Sequence, residues 1–360
     1  VLCVEAGVKV THEPDPRNVA KALAAFKPEF LLAVPRVFEK VYNGAEQKAE
    51  AGGKGDIFRK AANVAVAWSE SLDTGGPSLK LKLQYFVFDK LVFKKIRAAM
   101  GGNLQYAISG GAPLGGRLGH FFRALGVIVL EGYGLTETSP VVSVNNFVTG
   151  IRIGSVGPLV DNVQVKIAPD GEILVKGPNV MMGYYKNEEA TNEVFDADGW
   201  FCTGDIGTFQ EDKFLKITDR KKEIFKTSGG KYIVPQAMEN RLKQSRFIEQ
   251  AMVIGEGEKF PAVFIVPNFA FVKEWALRHN LDFSQLSNDE IIANQSLIDR
   301  INEEISEINL EYGSWEQLKK VKLLPQEFTI EGGELTPTLK FKRKKILEKY
   351  QAQYQAIYSA

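Results

Sequence analysis

The sequence predicts an α/β protein of at least two domains, and three observations carry this prediction. The chain has 360 residues, more than a single hydrophobic core usually supports. Its first part alternates short apolar strands with helices, the pattern of a parallel sheet covered by helices. Beyond residue 235 the helices and strands become longer and more charged, which indicates a separate α+β domain.

The first α/β elements follow one another closely. Residues 1–10 are apolar and predict a strand entered within a fold, which indicates that an upstream segment is missing. A turn, a helix at VAKALAAF and a strand at PEFLLAVP follow. Residues 36–101 have helical periodicity, interrupted by the Gly-rich segments 52–55 and 73–78.

The stretch 79–100 is expected to place apolar residues on one helix face and Lys and Arg on the other. Such a helix either packs against the core with a solvated basic face or lies on a membrane surface. The core-packing interpretation is the more common one. Both remain open at this point.

Residues 150–218 differ in character from the segments before them. Short strands alternate with Gly, Pro and Asp turns, which predicts a small β-rich subdomain. Alanine is common before residue 145 and sparser afterwards, as expected where one domain gives way to another.

Composition argues against several classes of protein. Apolar residues make up 44% and charged residues 25%, which is ordinary for a globular protein. The net charge of +1 gives no overall attraction to nucleic acid, so none is expected as a partner. Cys3 and Cys202 fit no disulfide or metal framework, which favours a reducing, cytoplasmic location. No apolar run reaches 18 residues, so no membrane-spanning helix is predicted.

The segment Glu131–Pro140, EGYGLTETSP, carries the most chemistry. It follows the strand VIVL, so Gly132 and Gly134 lie at the carboxyl end of a parallel strand, where α/β sheets bind their ligands. Glycines let backbone amides approach an anion, and the Thr136 hydroxyl can donate to a phosphate oxygen. Glu137 beside a phosphate could hold Mg²⁺. A Gly-rich turn with a helix N-cap at a threonine is an equal alternative for this segment alone.

Four further segments occur with it in a fixed order. SGGAPLG (109–115) follows another apolar strand, and FCTGDIG (201–207) places Asp205 in a Gly-flanked turn that could accept ribose hydroxyls. A basic segment with a Gly pair spans 217–235, and GGELTPTLKFKRKKILEK (332–349) presents Lys340 on a loop before a basic helix. Each alone is more often a turn or a solvated charge run. All five in this order are much harder to attribute to chance.

Together, GYGLTE, TGD, DRKKEIFKTSGGKYI and LTPTLKFKRK resemble the successive signatures of the adenylate-forming superfamily. LLAVPRVFEKVYN (31–43) and SGGAPL resemble its long-chain acyl-CoA synthetase branch. The resemblance covers essentially the whole chain. It implies a fatty-acid carboxylate attacking the α-phosphate of Mg·ATP to give acyl-AMP and pyrophosphate, and CoA then attacking the acyl carbonyl and releasing AMP.

The resemblance also implies an architecture. Residues 1–218 would be the C-terminal portion of a large adenylating domain, a parallel βα sheet with 150–218 as its β-rich subdomain. A hinge at 219–222, with Lys222 as the hinge residue, would lead to a small mobile C-terminal α+β domain, 223–360.

Roles for individual residues follow from the same resemblance. Thr136 would contact the α-phosphate and Glu137 would hold Mg²⁺. Tyr133, which lies between Gly132 and Gly134 in the sequence, would stack on adenine, and the two glycines would also line the nucleotide site. The opposite wall of that pocket would be formed by Gly110, Gly111 and Ala112.

The remaining implied roles lie later in the chain. Asp205 would bind the ribose hydroxyls with help from Arg220. Lys340 would reach the reacting oxygens during adenylation, as suits a compact point charge. After rotation about Lys222, Gly229 would leave room for the pantetheine arm of CoA.

One family signature is not found in this sequence. Members carry an upstream Ser/Thr/Gly-rich loop with a Lys that cradles the β- and γ-phosphates. The nearest segment here, KTSGGKY (226–232), lacks the first glycine of a phosphate-binding loop and the Ser or Thr after the Lys. We therefore expect a truncated chain with little or no ligase activity by itself.

Three functions remain to be separated: a long-chain fatty-acid–CoA ligase, an acyl-AMP-forming relative without CoA transfer, and a catalytically silent nucleotide-binding module. Because the substrate would be fatty, we also expect transient contact with a membrane surface. Acyl chain-length preference and oligomeric state are not predicted.

Overall fold

The protein is described by a computed structural model that covers residues 7–13, 18–221, 223–336 and 340–359. These residues divide into two compact units. The first comprises the chain up to Thr203 together with Gly207–Ile217, and the second comprises Gly204–Ile206 together with the chain from Thr218 onward.

The helices of the first unit agree with the predicted helical periodicity. Segments 52–55 and 73–78 lie at the ends of two long helices, as predicted, and a π-helical turn at Asp89–Phe93 interrupts a third helical stretch. The helices are α1 Val19–Phe26, α2 Pro35–Ala51, α3 Gly55–Asp73, α4 Leu79–Phe88, α5 Lys94–Ala99, α6 Gly116–Ala124 and α7 Glu188–Glu193.

The predicted parallel sheet is present in the first unit. Strands β1 Phe30–Ala33, β2 Tyr106–Ser109 and β3 Ile128–Gly134 pair in parallel, and β4 Val141–Val144 pairs antiparallel to β3. The strand predicted at residues 1–10 is wrong for residues 7–10, which pair with no strand and are exposed, while residues 1–6 lie outside the described residues.

An aromatic core supports one side of this sheet. Phe38 of α2, Phe58 of α3 and the neighbouring Phe121 and Phe122 of α6 are almost fully buried. Their rings meet edge to face, with Phe38 and Phe122 centroids 5.4 Å apart. Such packing holds the helices, and with them the ends of β2 and β3, in place.

The stretch 79–100 departs from the prediction in its first half. Helix α4 buries no residue completely, and its apolar side chains lie on two opposite faces rather than one. The alternating sequence LKLKLQYFVF causes this, since the helical period of 3.6 distributes alternate residues around the axis. The core-packing interpretation holds in part for α4 and the π-helical turn, since Tyr85, Phe88 and Val92 pack against the core while partly buried. Full burial begins at Phe93, where Phe93, Ile96 and Met100 are buried.

A second sheet follows in the β-rich part of the chain, where short strands were predicted. Its order is β5 Gln164–Ile167, β6 Glu172–Lys176, β7 Phe201–Gln210 and β8 Phe214–Arg220. Strands β7 and β8 each contribute residues to both units.

The second unit is α+β, as predicted. Strand β11 Ile248–Ile254 pairs antiparallel with β12 Ala262–Pro267, which pairs parallel with β13 Lys320–Leu323. Strands β9 Phe225–Lys226 and β10 Tyr232–Ile233 form a short hairpin. Its helices are α8 Pro235–Leu242, α9 Phe269–Arg278, α10 Asn288–Ile292, α11 Gln295–Asn309, α12 Arg343–Lys349 and α13 Gln351–Tyr358.

Both faces of the β11–β13 sheet are covered. Val263 and Ile265 pack into one buried cluster, whereas their neighbours Phe264 and Val266 pack into another on the opposite face. Within the described residues, no helix of either unit is long and apolar enough to cross a membrane.

Candidate functional site

Two loops meet at one edge of the parallel sheet. The loop of Gly110, Gly111 and Ala112 follows β2, and β3 ends in Gly132–Gly134, with Ser109 in register with Glu131. The carboxyl ends of adjacent parallel strands lie side by side, so both loops face the same space. A Cβ atom on Gly110 would lie 3.8 Å from the Gly132 carbonyl oxygen, and Gly111 has a φ of 83°, a left-handed conformation that favours glycine.

Glu131 fastens these two loops together. Its carboxylate is buried and accepts the backbone N–H of Leu114 at 3.1 Å, which ties the end of the SGGAPL loop to β3. Burial raises the pKa of Glu131, against the opposing effect of the backbone N–H groups of Leu114 and Gly154. We assigned Glu131 no role from the sequence. The available signal was a carboxylate at the end of an otherwise apolar strand.

The segment after β3 folds back sharply. Residues Thr136–Thr138 form one 3₁₀ turn with Leu135 at the N-cap position, so neither threonine is the helix N-cap considered above. A Cβ atom on Gly134 would lie 1.6 Å from the Pro140 carbonyl oxygen, so this position admits only glycine. Close packing against Pro140 therefore requires glycine at position 134, whether or not an anion approaches its backbone.

Within this turn the three polar side chains have different surroundings. Thr138 is buried; its Oγ1 accepts the Leu135 N–H at 2.9 Å and lies 2.6 Å from the Pro140 carbonyl oxygen. Thr136 is exposed and Glu137 is partly exposed. Thr138 thus holds the loop, while the side chains of Thr136 and Glu137 are accessible to solvent.

A distant segment grips the same loop. We call residues 179–184 the clasp. Asn179 donates from Nδ2 to the carbonyls of Thr138 (3.0 Å) and Val141 (2.9 Å). The Met181 N–H donates to the Glu137 carbonyl at 2.8 Å. The clasp therefore fixes the loop through its backbone.

The clasp also touches the Glu137 side chain. The Tyr184 hydroxyl donates to Glu137 Oε1 at 3.0 Å. The backbone of Tyr184 is itself fixed, because its N–H donates to Thr191 Oγ1 at 2.9 Å. Partial burial, and then the bond to Glu137, raise the pKa of Tyr184, which keeps it a donor at neutral pH. Nothing in the local sequence connects Tyr184 with a carboxylate 47 positions earlier.

In the second unit, Asp205 and Arg220 come together. Asp205 is 4% exposed, and Arg220 Nε lies 3.2 Å from its Oδ1. The Lys221 N–H donates to the Gly204 carbonyl at 2.8 Å, which joins the TGD turn to the start of DRKKE. Lys222, the predicted hinge residue, lies outside the described residues.

The neighbouring Asp219 is also buried. Its Oδ1 accepts the Arg220 N–H at 2.6 Å, and its Oδ2 has no hydrogen-bond partner among the described residues. Burial raises the pKa of Asp219 to about 6. This segment therefore contains a carboxyl group that titrates close to neutral pH.

Gly229 and Lys340 lie in separate turns of the second unit. Residues 227–231 connect β9 to β10, where the Gly230 N–H donates to the Thr227 carbonyl at 2.9 Å and Gly229 is exposed. The Lys340 N–H donates to Thr336 Oγ1 at 3.0 Å, and the Thr336 N–H donates to the Lys340 carbonyl at 2.9 Å.

A partly buried arginine anchors the helix that follows Lys340. Arg343 Nη2 lies 2.7 Å from Glu239 Oε1 and 3.4 Å from Glu223 Oε2, and its Nη1 donates to the Val253 carbonyl at 3.0 Å. Glu239 Oε1 also accepts the Val253 N–H at 2.8 Å. Arg343 lies three residues beyond Lys340. It thus joins three parts of the second unit, namely the segment after the predicted hinge, helix α8 and strand β11.

Sequence comparisons place the chain among known enzymes. Long-chain-fatty-acid–CoA ligase FadD15 of Mycobacterium tuberculosis is 46% identical over 352 residues, which cover 98% of this chain and 58% of that protein. Long chain acyl-CoA synthetase 3 of Arabidopsis thaliana is 33% identical over 378 residues, covering 99% of this chain and 55% of that protein. The chain thus spans a little over half the length of these relatives.

Among solved structures, the A domain of a carboxylic acid reductase from Segniliparus rugosus, in complex with AMP and a co-purified carboxylic acid, superposes with a TM-score of 0.71. That match covers 97% of this chain and 50% of that domain at 21% identity, and it shows the fold alone. Residues 2–185 match the AMP-binding enzyme family, and residues 222–360 match the AMP-binding enzyme C-terminal domain. The chain belongs to the AMP-binding enzyme family.

Proposed function

We propose that the chain serves the ATP-dependent activation of a long-chain fatty acid and its transfer to CoA. The fatty-acid carboxylate oxygen attacks the α-phosphorus of ATP and pyrophosphate leaves. The CoA sulfur then attacks the acyl carbon and AMP leaves. The observation that carries the proposal is the 46% identity to a long-chain-fatty-acid–CoA ligase over 98% of this chain.

For adenylation we assign the α-phosphate to Thr136 and the metal to Glu137. The Thr136 hydroxyl is exposed and makes no side-chain hydrogen bond among the described residues, so it can donate to a phosphate oxygen. The clasp holds the loop before any ligand arrives, so little ordering is needed at binding. Gly132 and Gly134 keep side chains away from the phosphate.

The donors present fit Mg²⁺ held largely by substrate. Among the described residues there is no group of three or more His, Cys, Asp or Glu side chains that could hold a metal. One carboxylate together with phosphate oxygens and water is the usual Mg²⁺ environment at nucleotide sites. When bound, the ion would neutralise charge on the phosphates. Glu137 would supply one carboxylate oxygen, and Tyr184 would keep donating to the other.

We assign the adenine ring to the space between the two loops. Tyr133 lies partly buried against an apolar cluster, which fixes one aromatic wall. The opposite wall would be the backbone of Gly110, Gly111 and Ala112, whose lack of bulk admits a flat ring. Glu131 would keep the two walls at a constant separation through its bond to Leu114.

The ribose is assigned to Asp205. A nearly buried carboxylate is a strong acceptor for two hydroxyl groups, and the ion pair with Arg220 holds it in place. Arg220 would act on the ribose through Asp205 rather than by direct contact.

The second unit would supply the moving parts. We propose domains at 1–218 and 223–360 with a hinge at 219–222 around Lys222. The compact units divide near residue 218, and the C-terminal family match begins at residue 222, which supports this division. Lys340 would act during adenylation, when its ammonium group would stabilise charge on the reacting oxygens.

For thioester formation, Gly229 would line the path of the pantetheine arm. The turn that carries it is exposed and has a lysine on each side, Lys226 and Lys231. Lysines suit the phosphates of CoA because each presents a compact positive charge.

We also propose that the protein contacts a membrane surface transiently, since its substrate would partition into lipid. A peripheral, cytoplasmic location would follow.

A second candidate function ends at acyl-AMP or transfers the acyl group to a carrier protein. It shares the adenylation half-reaction with the first candidate and differs only in what accepts the acyl group. A third candidate is a silent nucleotide-binding module.

Product analysis separates the three candidates. The 360-residue chain, and a chimera in which it replaces the matching region of FadD15, would be incubated with palmitate and Mg·ATP, with and without CoA. We expect palmitoyl-CoA and AMP from the chimera with CoA, palmitoyl-AMP without it, and little product from the chain alone. Palmitoyl-AMP as the sole product in the presence of CoA would favour the second candidate. AMP binding without turnover in either protein would favour the third.

A further inference from the structure

Helix α4 presents apolar side chains to solvent. Leu79 is 85% exposed, Leu83 67% and Phe86 57%. Val87 and, in the π-helical turn, Leu91 extend the same surface. We call these five residues the outer face of α4. So many adjacent exposed large apolar residues mark an interaction surface rather than scattered surface residues.

The outer face is exposed although the helix itself is firmly attached. On the opposite side, Tyr85 stacks on Trp68 with ring centroids 4.1 Å apart, and its hydroxyl donates to the Ala124 carbonyl at 2.6 Å. The Ser78 hydroxyl caps the helix by accepting the Leu81 N–H at 3.3 Å. The outward residues recur at intervals of three and four, which places them in one stripe along the helix. The surface is therefore a formed feature of the folded unit.

Lysines border this stripe. Residues 79–97 contain six basic residues and one acidic residue, a net charge of +5, while the whole chain has +1. The acidic residue, Asp89, is paired with Arg97 at 2.7 Å. The exposed basic residues of the segment are Lys80, Lys82, Lys90, Lys94 and Lys95.

The lysines lie where an interfacial helix needs them. At 100° per residue, Lys80 and Lys82 fall on opposite sides of the row formed by Leu79, Leu83 and Phe86. Lys90 stays beside it, with Nζ 4.4 Å from the centre of the Phe86 ring. Long lysine side chains beside an apolar stripe can extend to headgroups while the stripe enters the acyl boundary.

We propose that the outer face of α4 docks this protein on an anionic phospholipid surface. Charge decides among the occupants an apolar face could take. A second copy would bring two sets of five lysines together, which like-charge repulsion opposes. Anionic lipid headgroups attract the lysines and the acyl region accepts the apolar stripe. The purpose of docking rests on the proposed function, since long-chain fatty acids are found in bilayers. Binding to the lipid surface does not depend on that function.

Vesicle co-sedimentation tests the proposal with the 360-residue chain and without ATP or CoA, so a failure leaves the ligase assignment untouched. We expect binding to vesicles of equimolar phosphatidylcholine and phosphatidylglycerol, weaker binding in high salt, and much weaker binding to pure phosphatidylcholine. The double variant Leu83→Glu with Phe86→Glu should lower the partition coefficient by at least about tenfold. Neither side chain is buried, so circular dichroism and Tm should stay unchanged.

Leu277→Glu is the matched control, because Leu277 is 61% exposed on helix α9 of the second unit. It should bind vesicles as the wild type does. Equal binding by the control and the double variant would overturn the proposal. So would equal binding to both kinds of vesicle, or a dimer abolished by the double variant without any vesicle binding. The FadD15 chimera should also bind, and loss of binding there would overturn the proposal in favour of a face covered by the rest of the ligase.

Discussion

The clasped loop of the first unit and the segment around Arg343 in the second unit both carry candidate site residues, but different forces hold them. The loop Leu135–Val141 is fixed mainly by neutral hydrogen bonds from Asn179, Met181 and Thr138. The segment next to Lys340 is fixed by an arginine that pairs with the buried Glu239 and the partly buried Glu223. In the proposed function the loop would meet phosphates, and neutral supports suit that role because added charge would compete with the ligand. The helix after Lys340 would belong to the proposed mobile domain, where internal ion pairs could fix it.

The largest effect should come from removing the charged support. Arg343→Met would leave Glu239, which is 3% exposed, buried without its cation. Breaking such a pair by removing one partner costs about 3–5 kcal/mol. Urea unfolding followed by the tryptophans of the second unit, Trp275 and Trp315, would measure it.

Arg241→Met is the control for this change. Arg241 pairs with the exposed Glu311 at 2.7 Å, so its loss should cost less than about 1 kcal/mol. Similar losses for the two variants would mean that the cluster around Arg343 is not held by charge.

A smaller loss is expected from the neutral support. Asn179→Ala removes the donor to the carbonyls of Thr138 and Val141 and should cost about 1–3 kcal/mol, largely from the unpaired acceptors. Asn302→Ala, at an exposed helix position, is the control and should be near neutral. Thermal unfolding compares them. If both variants have the same Tm as the wild type, the clasp does not support the loop.

The comparison also predicts different responses to pH. Burial raises the pKa of Asp219 from 3.8 to about 6, so the folded state holds this proton more tightly than the unfolded chain. The stability this contributes is fully present below pH 3.8 and is lost as the pH rises through about 6. Asp219→Asn should flatten this part of the pH–stability curve by about 1–2 kcal/mol, allowing for solvent screening.

Urea midpoints of wild type and Asp219→Asn between pH 4 and pH 7 would measure the difference. The Asn179→Ala variant should keep the wild-type pH dependence, because its hydrogen bonds involve no titrating group. If Asp219→Asn kept the wild-type dependence of stability on pH, the raised pKa would not belong to Asp219.

The smallest stability effect is expected at Tyr184. Tyr184→Phe removes one hydrogen bond to the partly exposed Glu137 and should cost about 0.5–1.5 kcal/mol. Tyr185→Phe, at the neighbouring and 88% exposed tyrosine, is the control and should cost nothing measurable. In the ligase chimera, Tyr184→Phe should also change the Mg²⁺ concentration for half-maximal acyl-AMP formation, whereas Tyr185→Phe should not.

The sequence predicted those features that depend on local pattern. Helix ends at 52–55 and 73–78, the parallel strands, and the place of Gly132–Gly134 at a strand end all follow from periodicity and Gly-rich segments. The resemblance implied a joint role of Asp205 and Arg220 toward ribose, and the structure brings the two side chains within 3.2 Å of each other. The ligand roles of these residues remain predictions.

What the sequence could not supply depends on long-range packing. Tyr184 meets Glu137, and Arg343 meets Glu239, only because separate elements pack together. Helix α4 was misjudged for a different reason. Its alternating pattern fits neither a one-sided helix nor a buried one, and only packing on Trp68 decides which apolar face turns outward.

The most direct test of the account is AMP binding by titration calorimetry to wild type, Thr136→Val and Thr208→Val. Thr136 and Thr208 are both exposed threonines of the chain, but only Thr136 lies on the clasped loop. We predict that Thr136→Val weakens AMP binding by about tenfold, as expected for a lost hydrogen bond to a charged group, and that Thr208→Val binds like wild type. Equal affinities of all three proteins for AMP would contradict the placement of the phosphate at this loop.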